Sequence, residues 1–157
     1  MRGMTRSGKP DFGILLLLAD QEFVRSLRAA TAELGFDDQG RSDGFVLRTL
    51  GDGPTTINGL AERLAITKQG ASQIVDDMER RGYVERRTDP SDARARLLHL
   101  TSRGEAALSA ARKFHQSYER RLRREFGDEA IDTLRAVLTS MVGDAQVSTP
   151  HFRALMF

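Results

Sequence analysis

The sequence predicts a mainly α-helical fold that contains one small β-hairpin. Apolar residues recur at intervals of three and four over most of the chain, which is the period of an amphipathic helix. Between residues 83 and 100 the period changes to two on either side of a turn-rich segment, as it does in a hairpin. The length of 157 residues is that of one domain, and 39% hydrophobic with 29% charged residues is typical of a globular chain.

The chain carries little net charge but concentrates its basic residues in one stretch. Its 24 Lys and Arg against 22 Asp and Glu leave a formal net charge of +2. Between residues 80 and 103 there are seven basic residues and three acidic ones. The basic residues are Arg80, Arg81, Arg86, Arg87, Arg94, Arg96 and Arg103. A local excess of this kind indicates a surface that meets phosphate groups.

Several classes of function are not supported by the sequence. The absence of cysteine excludes disulfides and thiolate metal sites. His99, His115 and His151 lack the spacing of metal ligands, so we expect no metal and no other cofactor. No P-loop, HExxH, GxSxG or GxGxxG motif occurs, so no enzyme is predicted. The apolar run at residues 14–19 is too short to span a bilayer and no cleavage site follows it, so we expect a cytoplasmic protein without a membrane partner.

The first element is a long helix near the N-terminus. Residues 1–10 are polar and basic and are predicted to be a frayed arm. Asp11 is predicted to cap a helix that runs to about Leu34 and ends at the glycine after it. Apolar side chains, among them Leu17 and Val24, go most of the way round its first half, so this helix must be covered on several sides.

Two shorter helices are predicted next. Ser42 or Asp43 caps the first of them, which ends at the helix-breaking segment 51–54. Residues 55–57 form either a short strand or the lead-in to the second of these helices, at residues 58–64.

The following helix has one apolar and one polar face. Its apolar residues are Ala71, Ile74, Val75 and Met78, at i, i+3, i+4 and i+7. Its outward residues are Lys68, Gln69, Ser72, Gln73 and Asp76. Thr67 is the predicted N-cap, because its hydroxyl can accept a hydrogen bond from a free backbone N–H. The preceding helix, the tight apolar turn Ala65-Ile66 and this helix have the spacing of a helix-turn-helix. The short polar side chains on the outward face of this helix suit a DNA major groove.

Gly70 lies in the first turn of this helix against helix propensity. Two explanations are open: the preceding helix packs too closely for a Cβ, or a DNA backbone approaches there. We favour packing. Further along, Gly82 is predicted to end the helix.

Residues 83–100 alternate as two strands joined by a turn. Val84 in the first strand and Leu98 in the second are predicted to point inward. The segment 88–93 has the residue types of a turn and is too polar for a core. The hairpin tip is therefore expected to project into solvent with Arg94 near its end.

Two apolar-striped helices end the chain. Thr101 is predicted to cap one that runs to about Glu125, and Asp128 one whose stripe resembles a coiled-coil seam. An apolar tail follows, which should dock because such a tail is a liability in water. The economical solution packs both termini against a second copy, which a two-fold dimer does twice. The residues assigned to this interface are Leu17, Val24, Phe114, Tyr118, Ile131, Leu134, Leu138, Met141, Phe152 and Leu155.

The middle of the chain resembles the winged helix of MarR-type (multiple antibiotic resistance regulator) transcription factors. The matching pieces, within residues 45–104, are LAERLAITKQGASQIVDDMERRGYVERR, DPSDARAR and LTSRGEAAL. The wing motif D-x-R-x-R that begins at Asp92 is the most specific of them, and the flanking helices agree in length. The resemblance implies a winged helix-turn-helix with a helical dimerisation domain built from both termini, in a triangular homodimer that binds double-stranded DNA.

The helix that follows Thr67 is expected to read the DNA sequence. Gln69, Ser72 and Gln73 are assigned to base edges, since a Gln amide can bond bidentately to adenine. Lys68 is expected to reach guanine or phosphate, beside Thr67 at the helix start.

The wing is expected to contact the DNA with arginines. Arg94 holds the position of the family's wing arginine, which enters the minor groove. Asp92 is expected to hold a wing arginine by a charge-assisted hydrogen bond. Arg96 either contacts phosphate or is the partner of Asp92. Arg86 and Arg87 lie on alternate faces, so only one of the two is expected to reach the backbone.

We therefore expect three segments: residues 1–36 as arm and dimerisation helix, 42–101 as DNA-binding domain, and 102–157 as C-terminal dimerisation helices and apolar tail. The predicted function is a ligand-responsive repressor that binds a pseudo-palindromic operator as a homodimer. The resemblance implies a small-molecule effector, often an aromatic or phenolic anion, between the winged helix and the helical domain. The walls of the pocket for this effector would come from the first helix, the Ser42–Leu50 helix and the Thr101–Glu125 helix. Two alternatives stay open: an architectural DNA-binding protein without an effector, and a winged helix that docks other proteins.

Overall fold

The computed structural model describes residues 8–144 of the chain. Within that range it contains six helices and two strands. These are α1 (Phe12–Ala32), α2 (Asp43–Gly51), α3 (Ile57–Leu64), α4 (Lys68–Arg80), β1 (Val84–Asp89), β2 (Asp92–Leu100), α5 (Ser102–Phe126) and α6 (Asp128–Val142). The predicted mainly helical fold with one hairpin is confirmed. The interface candidates Phe152 and Leu155, together with His151 and residues 1–7, lie outside the described residues.

The described chain divides into two compact units between Asp37 and Asp38. The first unit consists of α1 and the turn that ends it. In this turn the backbone N–H of Phe36 donates to the carbonyl of Thr31 at 3.1 Å. Gly35 has a φ of +90°, a left-handed conformation that glycine adopts without a Cβ penalty. Helix α1 therefore ends where the sequence places a glycine.

Helix α1 exposes most of its apolar side chains. Leu17 is 51% exposed and Val24 is 37% exposed. Among the described residues, no helix is long and apolar enough to cross a membrane. An apolar surface of this size on one helix indicates a contact with another protein surface.

The second unit has a core to which α2, α3, α4, the hairpin and the start of α5 contribute. Its largest fully buried side chains are Tyr83, Leu47, Leu60, Leu64, Met78, Leu98, Val46, Val75 and Val84. Burial of each aliphatic side chain stabilises the fold by roughly 1.5–3 kcal/mol. Ile74, which was predicted to be buried, is only half-buried.

The hairpin is longer and its turn tighter than predicted. The strands pair antiparallel from Val84 and Leu100 at the base to Asp89 and Asp92 at the tip. The turn is short because the carboxylate of Asp89 accepts hydrogen bonds from N and Oγ of Ser91, at 2.8 and 2.7 Å. Most of the segment assigned to the turn is therefore strand.

Both alternatives for the segment before α3 are realised in succession. Thr55 forms an isolated bridge with Leu98, whose N–H donates to the Thr55 carbonyl at 2.8 Å. Thr56 then caps α3, which begins at Ile57, one residue earlier than predicted. Strand β2 is thus flanked on both of its edges.

Threonines cap α3, α4 and α5, each of which has a glycine in its first turn. The hydroxyls of Thr56, Thr67 and Thr101 accept hydrogen bonds from the backbone N–H of the glycine three residues on, at 3.1, 3.0 and 3.1 Å. The predicted caps Thr67 and Thr101 are confirmed.

The caps predicted for the other helices are not formed. Asp11 and Ser42 occupy the N-cap positions of α1 and α2, but neither side chain accepts a helix N–H. Ser42 has helical dihedral angles, whereas a capping residue is typically extended. Asp43, the alternative cap, is the first residue of α2. Before α6 the cap position is taken by Gly127, and Asp128 is already inside the helix.

Helices α5 and α6 pack against each other, which changes the interface assignment. Ile131 is only 5% exposed within the single chain, so it belongs to this intramolecular contact and cannot meet a second copy. Phe114 and Tyr118 are half-buried, with their ring centroids 5.6 Å apart. The remaining α6 residues of the assignment are exposed, at 46%, 40% and 52% for Leu134, Leu138 and Met141.

Candidate nucleic-acid interface

The polar face of α4 is turned to solvent because the opposite face is packed into the core. Ala71, Val75 and Met78 have no exposed surface. Lys68, Gln69 and Gln73 are exposed and Ser72 is half-buried. In the part of the chain that the structure describes, these four polar side chains have no hydrogen bond or ion pair within the protein. They are therefore available to the donors and acceptors of a base edge.

The first turn of α4 corrects the explanation favoured for Gly70. A Cβ at Gly70 would meet only the hydroxyl of Thr67 within 4 Å, at 3.1 Å. Helix α3 does not come that close, so packing does not require the glycine. Thr67 itself is exposed, and its hydroxyl can still donate a hydrogen bond while it accepts one from Gly70.

The wing presents two arginines to solvent. Arg94 and Arg96 lie in β2 close to the hairpin tip and are exposed. Among the described residues, neither guanidinium has a partner. Asp92 does not hold either of them: its carboxylate accepts a hydrogen bond from the backbone N–H of Arg94, at 2.9 Å. The prediction of a charge-assisted bond to an arginine side chain is wrong, because the tip register places the backbone amide two residues on within reach of this carboxylate.

The other two wing arginines are engaged with carboxylates. Arg86 pairs with Asp76, at 2.5 Å between Nη2 and Oδ1, and with Glu79 through Nη1. Its side chain is only 23% exposed. Arg87 lies on the alternate face, pairs with Glu85 and is 59% exposed. The structure therefore gives Arg86 contacts within the domain that the assignment to DNA had not included.

A network centred on Arg81 links α4 to the segment before α2. Its Nη1 lies 2.5 Å from a carboxylate oxygen of Asp43, which is 3% exposed. The same nitrogen donates to the carbonyl of Asp38 at 2.7 Å, and Nη2 contacts Asp77 at 2.6 Å. The bond to Asp43 raises the pKa of the Arg81 guanidinium, so this charge is permanent. Sequence reasoning counted Arg81 only among the basic residues of a surface that meets phosphates, whereas the structure pairs it with carboxylates of the protein.

Tyr83 extends this network to α5. Its hydroxyl donates to Asp38, and Arg103 bonds both that carboxylate, at 3.1 Å, and the Tyr83 oxygen, at 3.1 Å. The Arg103 guanidinium lies over the Tyr83 ring, 4.6 Å from its centroid. Burial, and then the bond to Asp38, raise the pKa of Tyr83 to about 12. The bond from Tyr83 lowers the pKa of Asp38, so the carboxylate stays ionised at neutral pH.

A cleft with a volume of about 650 Å³ lies between the end of α2, the hairpin and α5. Its apolar lining includes Leu50, Pro54, Leu100 and Leu108. Its charged lining consists of Arg87, Glu105, Arg112 and Lys113, with His99, Ser109 and Gln116 beside them. Three cations against one carboxylate, next to apolar surface, suit an anion with an apolar body. Helices α2 and α5, two of the three helices predicted as walls of an effector site, line this cleft together with the hairpin, which was not among the predicted walls.

Comparisons with known proteins point to one family. The model of the MarR family matches residues 40–95 of this chain. The HTH-type transcriptional regulator PetP of Rhodobacter capsulatus is 29% identical over 90% of this chain and 93% of its own length. The transcriptional regulator HosA of Escherichia coli O111:H- is 39% identical, over 42% of this chain and 50% of its own length.

Solved structures share this fold. FabT of Streptococcus pneumoniae, crystallised in complex with DNA, matches with a TM-score of 0.67 and 22% identity. The match covers 83% of this chain and 94% of FabT. The arrangement of α2, α3, α4 and the hairpin is therefore a winged helix.

Proposed function

This chain belongs to the MarR family of transcriptional regulators, and on that premise we propose that it regulates transcription by binding double-stranded DNA in a sequence-specific manner. It acts as a homodimer in the cytoplasm and catalyses no reaction. One observation carries the proposal: within the described residues, four polar side chains of α4 and two arginines near the hairpin tip have no partners in the protein. They are Lys68, Gln69, Ser72, Gln73, Arg94 and Arg96. Unpaired donors of this kind, on two adjacent elements of a winged helix, are what the two grooves of a duplex satisfy.

Helix α4 reads bases and the wing supports it. Gln69 and Gln73 offer amides that bond bidentately to adenine, and Ser72 lies between them on the same face. Lys68, at the helix start, and the hydroxyl of Thr67 reach phosphate or guanine. Such base contacts set the sequence, whereas phosphate contacts set the register.

The wing inserts Arg94 into the minor groove beside the helix. Its guanidinium is exposed, and the bond between Asp92 and the Arg94 backbone fixes the strand from which it projects. Arg96 contacts the phosphate backbone, since it is exposed on the same strand. Arg87 contributes a further phosphate contact if its exposed pair with Glu85 opens, which costs little at a surface.

Dimerisation follows from the apolar surface that the single chain leaves open. Leu17 and Val24 of α1 are exposed, as are Leu134, Leu138 and Met141 of α6. Residues 1–36 and 102–157 form the dimerisation domain in this proposal, and residues 42–101 the DNA-binding domain. A two-fold dimer presents two α4 helices, so the operator is a pseudo-palindrome with half-sites about one helical turn apart, roughly 34–36 Å.

The cleft between α2, the hairpin and α5 is the proposed effector site. Arg112 and Lys113 of α5 are placed to bind an anionic group, and Leu108 packs against an apolar body. The same cleft includes Arg87 of the wing, so a bound anion touches both the helical domain and the DNA-binding domain. An aromatic or phenolic anion that prefers one arrangement of the two lowers operator affinity, by a coupling of about 1–3 kcal/mol. The protein is then a ligand-responsive repressor.

The test of DNA binding is a titration with the promoter fragment beside the gene for this protein. We expect saturable binding that exceeds the affinity for random duplex by about 1,000-fold or more, with a steep dependence on salt. Equal affinity for promoter and random duplex would favour the architectural alternative. No affinity for either would overturn the proposal and favour a protein-docking module.

The wing assignment is tested with Arg94→Ala. The variant should bind the promoter about tenfold more weakly or worse, because each half-site loses one minor-groove contact. The slope of log affinity against log salt should decrease by about 0.9 for each arginine lost. Arg120→Ala, which removes one exposed charge from α5, is the charge-matched control. An unchanged affinity in Arg94→Ala would contradict the assignment.

The effector site is tested with benzoate as an aromatic anion. In the wild-type protein, benzoate should weaken promoter binding, and Arg112→Ala with Lys113→Ala should abolish this response while operator affinity without benzoate is kept. A response of equal size in the double variant would place the site elsewhere.

A further inference from the structure

Arg86 occupies a distinctive place between the wing and the recognition helix. It projects from β1, and its guanidinium reaches two carboxylates of α4, Asp76 at 2.5 Å and Glu79. These two acids are three residues apart, so they lie one turn apart on the same side of the helix. A forked guanidinium suits two such acceptors because it offers donors in more than one direction.

The position of Asp76 on α4 gives this contact its consequence. Asp76 follows Gln69 by seven residues and Gln73 by three, so it continues the proposed base-reading face. The ion pairs of Arg86 with Asp76 and Glu79, called the clamp below, therefore hold β1 against the same side of α4 that meets the duplex. They also neutralise two carboxylates that would otherwise lie near phosphates.

Few other contacts between the hairpin and α4 could fix the angle between these two elements. Strand β1 follows α4 after a three-residue connection, and most of the hairpin beyond Arg86 is exposed. In the described residues, the only ion pairs between the hairpin and α4 are those of Arg86. The base of the hairpin is fixed by burial of Val84 and Leu98 in the core, and beyond that base the ion pairs of Arg86 bear on the direction of the hairpin tip.

We propose that Arg86 is a positioning residue that locks the wing to the recognition helix and does not itself contact DNA. This inference rests on the proposed DNA-binding function. In it, Arg94 enters the minor groove in register with the base contacts of α4 because the pairs of Arg86 with Asp76 and Glu79 fix the distance between the two elements.

The first test compares Arg86→Lys with Arg86→Ala in promoter binding. A phosphate contact needs only a positive charge, so lysine would preserve it. Binding two carboxylates at once needs the forked guanidinium. The decrease in log affinity in Arg86→Lys should therefore be at least half of the decrease in Arg86→Ala. Arg135→Ala is the control, because it removes another exposed arginine that joins two elements, α6 and α5, through Glu119. Near-wild-type affinity in Arg86→Lys, beside a weak Arg86→Ala, would overturn the proposal.

The second test is a double-mutant cycle between Arg86 and Arg94. If Arg86 positions the wing, Arg94→Ala should weaken binding by a smaller factor in the Arg86→Ala background than in the wild-type protein, at least threefold smaller. Two independent phosphate contacts would give multiplicative effects instead, and that result would overturn the inference.

A third measurement needs no DNA and approaches the clamp from the helix. Asp76→Ala with Glu79→Ala removes both acceptors, at exposed positions that leave the core intact. Hydrogen exchange at residues 88–95 should become faster in this variant and in Arg86→Ala, by about the same factor, while exchange in α3 is unchanged. Unchanged exchange at the hairpin would contradict the lock. If the wild-type protein bound no DNA, the proposed function would fail even where this exchange result held.

Discussion

Tyr83 shows how one buried side chain can join three elements. It lies directly before the first strand of the hairpin, its hydroxyl donates to Asp38 before α2, and Arg103 at the start of α5 lies over its ring. A buried tyrosine of this kind supplies apolar area and a satisfied polar tip together. Its neutral form is the one that fits, because a phenolate oxygen would face the carboxylate of Asp38.

The protonation of Tyr83 predicts a loss of stability in alkali. Its pKa is raised to about 12 in the folded protein by burial and by the bond to Asp38, whereas a tyrosine in the unfolded chain titrates near pH 10. Between these values the folded state binds more protons, so the free energy of unfolding should fall by about 2 kcal/mol as pH rises from about 10 to about 12. Urea unfolding at several pH values measures this fall. In Tyr83→Phe the fall in the free energy of unfolding over this pH range should be smaller by about 2 kcal/mol. An equal fall in both proteins would contradict the assignment.

Gly104 is required by a close approach of two backbones. A Cβ at this position would overlap the carbonyl oxygen of Tyr83, which cannot rotate away as a side chain would. We expect Gly104→Ala to destabilise the protein by about 1–3 kcal/mol, as overpacking does. Gly44→Ala is the matched control: nothing lies within 4 Å of a Cβ at Gly44, and its φ is not in the left-handed region. That variant should be slightly more stable, by about 0.5–1 kcal/mol. Urea unfolding distinguishes the two, and equal midpoints would refute the steric argument.

At the scale of elements, capping and ion pairing fix where α4 begins and where it ends. Thr67 holds its first turn, and Arg81 ties its last turn to Asp43 of α2. Helix α4 is thus attached at one end by a local bond and at the other by a long-range one. These two attachments together set the direction in which the outward face of α4 points.

The buried pair of Arg81 and Asp43 should contribute strongly to stability. Asp43→Ala leaves the Arg81 guanidinium, which is 18% exposed, without its most buried partner. We expect a loss of about 3 kcal/mol, because removal of one member of a buried pair strands the other. Glu22→Ala breaks the exposed pair with Arg25 on α1 and should leave the unfolding midpoint unchanged. Similar midpoints for the two variants would show that the Arg81 network is solvated.

For the whole molecule, the decisive quantity is the apolar surface that a single chain leaves uncovered. The stripes of α1 and α6 remain exposed although the second unit has a complete core of its own. That distribution is typical of chains whose terminal helices are buried only in an oligomer.

The dimer is tested on the exposed stripe of α6. Leu134→Glu with Leu138→Glu introduces two charges at positions 46% and 40% exposed, so the single chain can still fold. Sedimentation should show a monomer, and operator affinity should drop about 100-fold because the two half-sites are no longer bound together. Ala136→Glu, about 160° round the helix from Leu134, should stay dimeric. A persistent dimer in the double variant would contradict the interface.

What the sequence could predict is what local chemistry decides. The period of the apolar residues gave the helices and the hairpin, and the hydroxyls of Thr67 and Thr101 marked two helix starts that the structure confirms. The family likeness rests on such local features in a fixed order. For the candidate site, the sequence predicted which polar residues of α4 face solvent. It also predicted that Arg94 lies exposed near a hairpin tip.

Only the tertiary structure decided which side chains meet. Arg86 pairs with α4, Asp92 bonds a backbone amide and Ile131 is buried against α5, each against expectation. The physical reason is the same in all three cases. Periodicity states which side of an element is apolar, but the partner of a side chain depends on the angle and register at which two elements pack, and those are properties of the assembled core.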